Sequence, residues 1–421
     1  MKTIIYTLLF SLLFVSCEKD YIYIKKIRLK GQISAASSAP DAAMKSPASG
    51  FTLADAAKVL IFFGNEYDLV DIHGNGTFSG RAPIGSASCI VFLTADYEFI
   101  GNLYVGGCNL LPLVGMDKET VEIDFTTLTL SGTRVIPAHD PIGTTIVLSD
   151  KELAFLNQID SYYEALAKNI DMDNNGKPDV MENKRIQLYS MHSFEGGVWA
   201  TDTSNADITP KSEITLQNGI HMVGPNELLT NTENSVAENS TLSGPADNPH
   251  TDIYNAGNSY INNKEFKVNF ARNSNHQAYM SSPFNDGLYT FNIDNKNFTF
   301  NYVNVDMLDY LIMAIPTLKV NAANQLTSLS VNYQLSDGST VSPRNLMSSG
   351  VDVNVTSIPP TGGEYQMIEV RSSANAKYDD TYDYFSITFE EPIDMRYIAN
   401  VSLRYFDMLG NEYSVNWKKE K

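Results

Sequence analysis

Residues 119–130 read ETVEIDFTTLTL, and apolar and polar side chains alternate along this stretch. Val121, Ile123 and Phe125 fall on one face of an extended chain, and the acidic and hydroxyl-bearing side chains between them fall on the other. Alternation with a period of two is typical of a β-strand that buries one face. The stretch therefore predicts a β-sheet protein, and similar runs lie on both sides of it.

Four strand-like runs precede this stretch, separated by segments that favour turns. They lie at residues 24–34, 56–63, 87–95 and 98–105, and a turn followed by a short strand lies at 73–80. Together with 119–130 they predict a small all-β sandwich over residues 24–135. Their order resembles that of the transthyretin-like or carboxypeptidase-regulatory-like domains of bacterial surface proteins. The resemblance implies a small N-terminal β domain.

One helix is predicted after this domain. Ser149 and Glu152 form the pattern of a capping box, in which each side chain binds the backbone N–H of the other residue. Apolar side chains then recur at steps of three and four residues and form one stripe. They are Leu153, Leu156, Ile159, Tyr163, Leu166 and Ile170. The helix is predicted over residues 150–169.

The loop after the helix reads DMDNNGKPDVME, residues 171–182, and matches a twelve-residue calcium-binding loop position by position. The predicted ligands are Asp171, Asp173, Asn175, Lys177 through its backbone carbonyl, Asp179 and Glu182. Gly176, at the sixth position, permits the sharp turn that points these oxygens inward. The pattern resembles EF-hand and thrombospondin type 3 loops, which implies a structural Ca²⁺. The alternative is a solvated acidic turn without a metal.

No second helix is predicted after the loop, so residues 149–184 are interpreted as a helix with a calcium-binding loop that leads into a strand. A single loop of this kind fixes geometry more often than it signals. Its affinity is expected to be that of extracellular modules, roughly 10⁻⁴–10⁻³ M.

A second β region occupies the last third of the chain. Nine strand-like runs between residues 264 and 418 predict a larger sandwich of immunoglobulin-like or jelly-roll-like type over 261–421. Residues 185–260 are polar, with strand-like runs only at 185–194 and 213–223, and are interpreted as a loop-rich β connection. The predicted fold class is mainly β, with two β-sandwich domains joined by one helix and a calcium loop.

The N-terminus indicates export. An apolar run follows Lys2 and ends at Val15, which is too short to span a bilayer. Ser16 then stands directly before Cys17, and this arrangement resembles a bacterial lipobox. The resemblance implies cleavage after Ser16 and lipidation of Cys17. An ordinary secretory signal with an incidental cysteine is the alternative.

Residues 1–16 are thus interpreted as a lipoprotein signal peptide and 17–23 as a lipid-anchored tether. The charged residues after Cys17 resemble the start of surface-exported lipoproteins of Bacteroidota. That resemblance implies an anchor in the bacterial outer membrane and a body exposed at the cell surface.

Two further cysteines, Cys89 and Cys108, flank a predicted hairpin. An oxidising envelope permits them to pair as a disulfide. Two buried free thiols on neighbouring strands explain the sequence equally well. No histidine lies close in sequence to activate either thiol, so neither receives a catalytic role.

Composition limits the partners. The chain has 421 residues, of which 49 are acidic and 30 basic, with a formal net charge of −19. Nucleic acid is excluded as an expected partner, because its binding needs a clustered positive surface and no Lys/Arg block occurs. The sequence has no zinc-binding histidine pair, nucleophile elbow or phosphate-binding loop. No catalytic residue is assigned, and a non-enzymatic protein is expected.

Aromatic and acidic side chains mark candidate ligand-binding positions, because sugar-binding surfaces combine rings that stack with carboxylates that bind hydroxyls. These positions are Trp199, Tyr378, Asp380, Tyr382, Tyr384 and Trp417. The alternative for each of them is packing in the core or at the edge of a sandwich.

The expected function is that of a calcium-stabilised cell-envelope lipoprotein that binds an extracellular ligand, such as a glycan or a surface protein, or acts in adhesion. The step to glycans rests on analogy with modular β-sandwich lipoproteins. A glycan-active hydrolase and a fimbrial or surface-assembly subunit are the alternatives. The sequence leaves the oligomeric state open.

Overall fold

The computed structural model describes most of the N-terminal half and separate stretches of the C-terminal half. The described residues are 26–34, 50–63, 66–84, 87–113, 116, 119–182, 187–199, 207–208, 216–224, 241–245, 261–262, 265–270, 285–293, 296–305, 312–335, 352–357, 366–372, 385–406, 409 and 412–419.

The N-terminal unit is one nine-stranded sheet. Its strands are β1 (Lys26–Ile33), β2 (Lys58–Phe63), β3 (Glu66–Asp71), β4 (Thr77–Pro83), β5 (Ala87–Leu93), β6 (Phe99–Leu103), β7 (Leu111–Pro112), β8 (Glu122–Ser131) and β9 (Arg134–Pro137). The strand order is β3–β2–β5–β6–β9–β8–β1–β4, and β7 pairs with β5. A single 3₁₀ turn, Leu53–Asp55, precedes β2.

This sheet curls until its two ends approach each other. β3 and β4 stand at opposite ends of the strand order, yet the Arg81 N–H of β4 donates a hydrogen bond of 2.7 Å to Asp68 Oδ2 of β3. Gly80 permits this approach, because a Cβ at this position would overlap the side chain of Ile61. One continuous sheet therefore provides both layers around the N-terminal core. That core includes Leu29, Val59, Phe78, Phe92, Phe125 and Val135.

The 119–130 stretch forms β8 from Glu122 onward, with one deviation from the prediction. Ile123 and Phe125 are buried as predicted, but Val121 precedes the strand and is 67% exposed. Thr126 adopts a positive φ of 56°, and the pairing with β1 shifts register there. This bulge keeps Leu128 on the buried face after two exposed threonines in succession.

The predicted helix is confirmed as α1, Asp150–Lys168. Its capping box is formed: the Glu152 N–H donates to Ser149 Oγ at 3.3 Å, and the Ser149 N–H donates to Glu152 Oε2 at 2.7 Å. A short 3₁₀ turn, Asp179–Glu182, ends the acidic loop. Within the described ranges, no helix is both long and apolar enough to cross a membrane.

The described residues of the rest of the chain form three sheets. Their strands are β10 (Gln187–Trp199), β11 (Asp207–Ile208), β12 (Leu216–Gly224), β13 (Thr241–Ser243), β14 (Ile261–Asn262), β15 (Glu265–Phe270), β16 (Gly287–Ile293), β17 (Lys296–Tyr302), β18 (Ile312–Val320), β19 (Gln325–Leu335), β20 (Asp352–Ser357), β21 (Gln366–Ser372), β22 (Phe385–Asp394), β23 (Ile398–Phe406) and β24 (Glu412–Lys419). The strand orders are β14–β15–β12–β10–β24–β23–β20–β21, β11–β18–β19–β22 and β13–β16–β17.

The eight-stranded and four-stranded sheets share one core, as a β-sandwich requires. Leu318 and Leu329 from the smaller sheet belong to the same buried cluster as Leu403 and Trp417 from the larger one. The Ala314 N–H of β18 donates to the hydroxyl of Tyr405 on β23 at 3.2 Å. The mainly β fold with more than one packed β unit agrees with the prediction.

The two strand-like runs within residues 185–260 form β10 and β12. Both strands lie inside the eight-stranded sheet, where β10 pairs with β12 on one side and with β24 on the other. The sequence did not indicate these partners, because a strand's partner is set by pairing over long sequence separations, which local polarity does not reveal.

Candidate metal centre

The acidic loop begins at the C-terminal end of α1, and hydrogen bonds join its beginning to its end. Asn169 caps the helix, with its N–H donating to the carbonyls of Ala165 and Leu166. The Asp179 N–H donates to the Ile170 carbonyl at 2.6 Å, and the Met172 N–H donates to Asp179 Oδ2 at 2.7 Å. These bonds close the loop and bring Asp179 back beside its start.

Asp171 organises the turn at the centre of the loop. Its two carboxylate oxygens accept the backbone N–H groups of Asn175 at 3.0 Å and Gly176 at 2.8 Å. Asn174 and Gly176 have positive φ angles of 55° and 83°, a conformation that Asn and Gly adopt at least cost. The sequence DNNG therefore produces the tight turn that the calcium-loop pattern predicts.

Three of the predicted ligands converge. One carboxylate oxygen from each of Asp171, Asp173 and Asp179 lies within 4.8 Å of the others. Asp179 is only 3% exposed, so its charge is largely removed from water. Clustered carboxylate oxygens are the ligands that hard cations such as Ca²⁺ prefer.

The other predicted ligands lie beside this triad of aspartates. The Asn175 side-chain amide donates to Asp173 Oδ2 at 3.3 Å and to Glu182 Oε2 at 2.6 Å, while its oxygen accepts the Lys177 N–H at 2.9 Å. Glu182 is thus tied to the cluster through Asn175 and is not one of the three converging carboxylates. The amide nitrogen stands between two carboxylates, where a positive partial charge is favourable.

The loop is joined to β17 in the C-terminal part of the chain. The Asn169 side chain pairs with the backbone of Asn301: its Nδ2 donates to the carbonyl at 2.7 Å, and its Oδ1 accepts the N–H at 3.0 Å. The Thr299 N–H donates to the Met172 carbonyl at 2.8 Å. The helix end and the acidic loop therefore cover the outer edge of β17 as an additional strand would.

A second polar contact joins α1 to the N-terminal sheet, and the sequence analysis did not find it. Asp160 accepts the backbone and side-chain N–H groups of Asn109 at 2.9 and 2.6 Å and pairs with Arg134 Nη2 at 2.8 Å. Burial raises the pKa of Asp160, although these donors act in the opposite direction. In the sequence, Asp160 stands one helical turn before Glu164, which pairs with Lys168. This row of charged residues is a weak signal that this side of α1 makes polar contacts.

Cys89 and Cys108 are free thiols. Both are buried, and Cys89 Sγ donates to the carbonyl of Asn109, the residue after Cys108, at 3.7 Å. Burial raises the pKa of the Cys89 thiol and raises that of Cys108 to about 12. Of the two alternatives that the sequence left open, the structure has the free thiols.

The candidate ligand-binding residues have different outcomes. Trp417 is 2% exposed and lies in the sandwich core, so the prediction that it stacks on a ligand is wrong. Its side chain lies on the face of the eight-stranded sheet that packs against the four-stranded sheet, which explains the burial. Trp199 ends β10, but its side chain lies outside the described residues. The same holds for Cys17 and for all four candidates in the 378–384 segment, which are Tyr378, Asp380, Tyr382 and Tyr384.

Asp140 in the IPAHDPIG turn has a structural role. Its two carboxylate oxygens accept the backbone N–H groups of Gly106 at 2.8 Å and Ile142 at 2.9 Å. These bonds hold two neighbouring turns together and leave this carboxylate engaged with the backbone.

Comparisons with known proteins assign no family. No protein-family model matches the chain, and no curated protein matches it. The Fcho1 mu homology domain of Danio rerio with a bound Eps15 peptide is similar at 9% identity and a TM-score of 0.16, over 56% of this chain and 93% of that one.

Two further solved structures show similarity of the same order. A tetra-tandem repeat from the extending region of a large adhesion protein has 9% identity and a TM-score of 0.13, over 94% of this chain and 74% of that one. The major pilin SpaD of Corynebacterium diphtheriae has 9% identity and a TM-score of 0.14, over 96% and 99%. TM-scores this low do not indicate a shared fold.

Proposed function

We propose that this protein is a non-enzymatic, lipid-anchored envelope protein whose 171–182 loop binds Ca²⁺ and so fixes the junction between its β units, while the exposed body binds an extracellular ligand. The observation that carries the proposal is the convergence of the Asp171, Asp173 and Asp179 carboxylates within 4.8 Å, in a loop with calcium-binding spacing.

Electrostatics supports a cation at this position. Two like charges about 4 Å apart repel by about 4 kcal/mol at an effective dielectric constant of about 20. The burial of Asp179 weakens the screening of its charge by water. A divalent cation would turn this repulsion into attraction, so ion binding and loop stability are coupled.

The chemistry of the donors favours Ca²⁺ over Mg²⁺. The loop offers carboxylates, the Asn175 amide and the Lys177 carbonyl on a backbone that turns sharply at Gly176. Ca²⁺ accepts six to eight such oxygens in flexible geometry, whereas Mg²⁺ requires a near-ideal octahedron and retains its waters. For the amide oxygen of Asn175 to join the ligands, its side chain has to rotate away from its present contact with Glu182.

The position of the loop supports a structural role for the ion. Asn169 and Met172 bind the edge of β17, and α1 itself packs against the N-terminal sheet. An ion that stiffens residues 171–182 would hold these elements in register. A protein exported to an extracellular medium would meet calcium at concentrations that a weak site, with Kd of roughly 10⁻⁴–10⁻³ M, requires.

Isothermal titration calorimetry of the purified mature protein with Ca²⁺ tests the proposal. We expect one site per chain in the affinity class given above, and Asp171→Ala should abolish the binding heat. Asp96→Ala is the matched control, because Asp96 is an exposed aspartate in a turn outside the loop. Absence of calcium binding, or equal affinity in Asp171→Ala and the wild type, would contradict the proposal.

A further inference from the structure

The outer face of the sheet β13–β16–β17 carries a regular array of uncharged polar side chains. We call this array the hydroxyl–amide face. It consists of seven polar residues and the apolar Leu288. The polar residues are Thr241, Ser243, Thr290, Asn292, Asn297, Thr299 and Asn301. The strand register places them in rows across the sheet, so that Thr290 lies between Ser243 and Thr299. Neighbours in a row are about 4.8 Å apart, and rows repeat about every 6.8 Å along the strands.

A buried aromatic layer supports this face from below. Tyr289, Phe291, Phe298 and Phe300 alternate with the face residues and are at most 5% exposed. The rings of Tyr289 and Phe300 stack with their centroids 6.0 Å apart. Close packing of large rings restricts the backbone above them, so the face presents a fixed surface to solvent.

Hydrogen bonds within the rows fix the side chains. Asn292 Nδ2 donates to Asn297 Oδ1 at 2.8 Å, and the hydroxyl oxygens of Thr290 and Thr299 are 3.3 Å apart. Within the described residues, Asn292 Oδ1 and Asn297 Nδ2 have no protein partner. Each of these two rows therefore presents both a donor and an acceptor in a defined orientation.

The absence of charged residues on the face limits the kind of ligand that it can bind. None of its eight residues is charged, although the chain has 49 acidic and 30 basic residues. A charged ligand would lose water here without meeting a counter-charge, which is unfavourable. A neutral polyhydroxylated ligand would exchange hydrogen bonds to water for bonds to hydroxyls and amides. Leu288, 57% exposed, offers an apolar contact for the C–H groups of a sugar ring.

We propose that the hydroxyl–amide face binds a neutral polysaccharide chain. The proposal rests on the ligand-binding role proposed above and names its surface and its ligand class. It differs from the candidate positions of the sequence analysis, all of which lie on other segments. The acidic loop borders the face, because Met172 binds Thr299 on β17. The loop thus holds the edge strand of the array.

Affinity electrophoresis of the full mature protein tests the proposal. Native gels would contain soluble neutral polymers of glucose, mannose, galactose, xylose or arabinose, with polygalacturonate as the anionic comparison, and calcium throughout. The test variant combines Thr290→Val and Thr299→Val, which removes two hydroxyls and keeps the β-branched shape. The control combines Thr127→Val and Thr129→Val, two exposed strand threonines on β8.

We expect at least one neutral polymer to retard the wild type and the control, and the test variant to bind it about tenfold more weakly with an unchanged melting temperature. Asn292→Ala combined with Asn297→Ala should show the same loss, which covers the case in which the valine variant folds poorly. Retardation that both variants retain would overturn the assignment of the face and leave the ligand-binding role intact.

Other outcomes count against the proposal in different ways. Silence of the wild type across the neutral panel would overturn the proposal that the face binds a neutral polysaccharide, while calcium calorimetry would still report on the loop separately. Retardation by polygalacturonate alone would contradict the charge argument. A concentration-dependent dimer in light scattering that Thr290→Glu disperses would assign the face to a second copy of this chain.

Discussion

At the scale of single residues, burial decides the chemistry of the two cysteines of the body. Cys89 and Cys108 lie in apolar surroundings that disfavour the thiolate, the form that attacks disulfides and alkylating reagents. Their raised pKa values keep both protonated at neutral pH. The N-terminal unit therefore holds two free thiols, even though the proposed location would permit a disulfide.

A thiol-specific chromogenic reagent measures this directly. We expect no reaction with Cys89 or Cys108 in the native protein at neutral pH and reaction of both in denaturant. Cys89→Ala and Cys108→Ala assign the signal to each residue. A mass decrease of two hydrogens, or absence of reactive thiols in denaturant, would show a disulfide and contradict the free thiols.

Close backbone contacts give a second test at the residue scale. A Cβ at Gly101 would lie 2.8 Å from the Thr133 carbonyl oxygen and 3.0 Å from a methyl group of Leu130. Because the Thr133 carbonyl, in the turn between β8 and β9, is held by the Asn102 N–H at 2.9 Å, Gly101→Ala should reduce the free energy of unfolding by about 1–3 kcal/mol.

Gly74 is the matched control, since a Cβ there would meet nothing within 4 Å. Gly74→Ala should change the stability by less than about 0.5 kcal/mol. Denaturant unfolding of both variants measures the difference, and equal stability of the two would refute the packing argument.

The same residues show what a sequence can and cannot predict. The burial of Ile123 and Phe125 follows from alternation, because side chains of a strand point to opposite faces. The exposure of Val121 and the bulge at Thr126 depend on where β1 begins and ends its pairing with β8. Trp417 illustrates the same limit, since a tryptophan within a strand has identical local sequence whether it lines a core or a surface.

At the scale of elements, one side chain joins the end of α1 to β17. Asn169 uses its side-chain amide as a peptide group would be used in a ladder, with one bond given to Asn301 and one accepted from it. The capping box made the start of this helix predictable, because both partners lie within four residues. Its docking partner, 132 residues away, was not predictable from any local pattern.

Asn169→Ala should remove both bonds and cost about 1–3 kcal/mol, because the β17 backbone groups lose their partners. Asn169→Asp retains the acceptor for the Asn301 N–H but sets a carboxylate oxygen against the Asn301 carbonyl at the C-terminus of a helix, so its cost should be at least as large. Hydrogen exchange at Asn301 should accelerate in both variants. Unchanged exchange in both variants would show that the helix end does not hold β17.

At the scale of the whole molecule, α1 packs against both halves of the chain. Phe155 and Ile159 belong to the same core as the C-terminal sandwich, while Ala167 packs with Leu60 and Val91 of the N-terminal sheet. The sequence predicts this helix as a connector between domains. The structure makes it a shared layer, and the difference arises because its apolar stripe is long enough to reach two cores.

The arrangement of the sheets shows the same limit of local reasoning. Most strands of the C-terminal part were predictable from alternation and turn residues. The parallel pairing of β10 with β24, which joins Met191 to Glu412, was not, because nothing in either segment identifies the other. The acidic loop, by contrast, was predictable in its turn and in its converging aspartates, since all of its residues are contiguous.

We propose that calcium at residues 171–182 stabilises this shared architecture. Thermal unfolding by differential scanning calorimetry, with and without Ca²⁺, tests it most directly. With Kd of about 10⁻⁴ M and about 10 mM Ca²⁺, linkage predicts about 2.7 kcal/mol of stabilisation and a higher melting temperature.

Mg²⁺ at the same concentration controls for screening of the net charge of −19, and it should produce a much smaller rise. The calcium-specific rise in melting temperature should disappear in Asp171→Ala. A melting temperature that Ca²⁺ and Mg²⁺ raise equally, or that Asp171→Ala leaves equally responsive to Ca²⁺, would contradict the proposal.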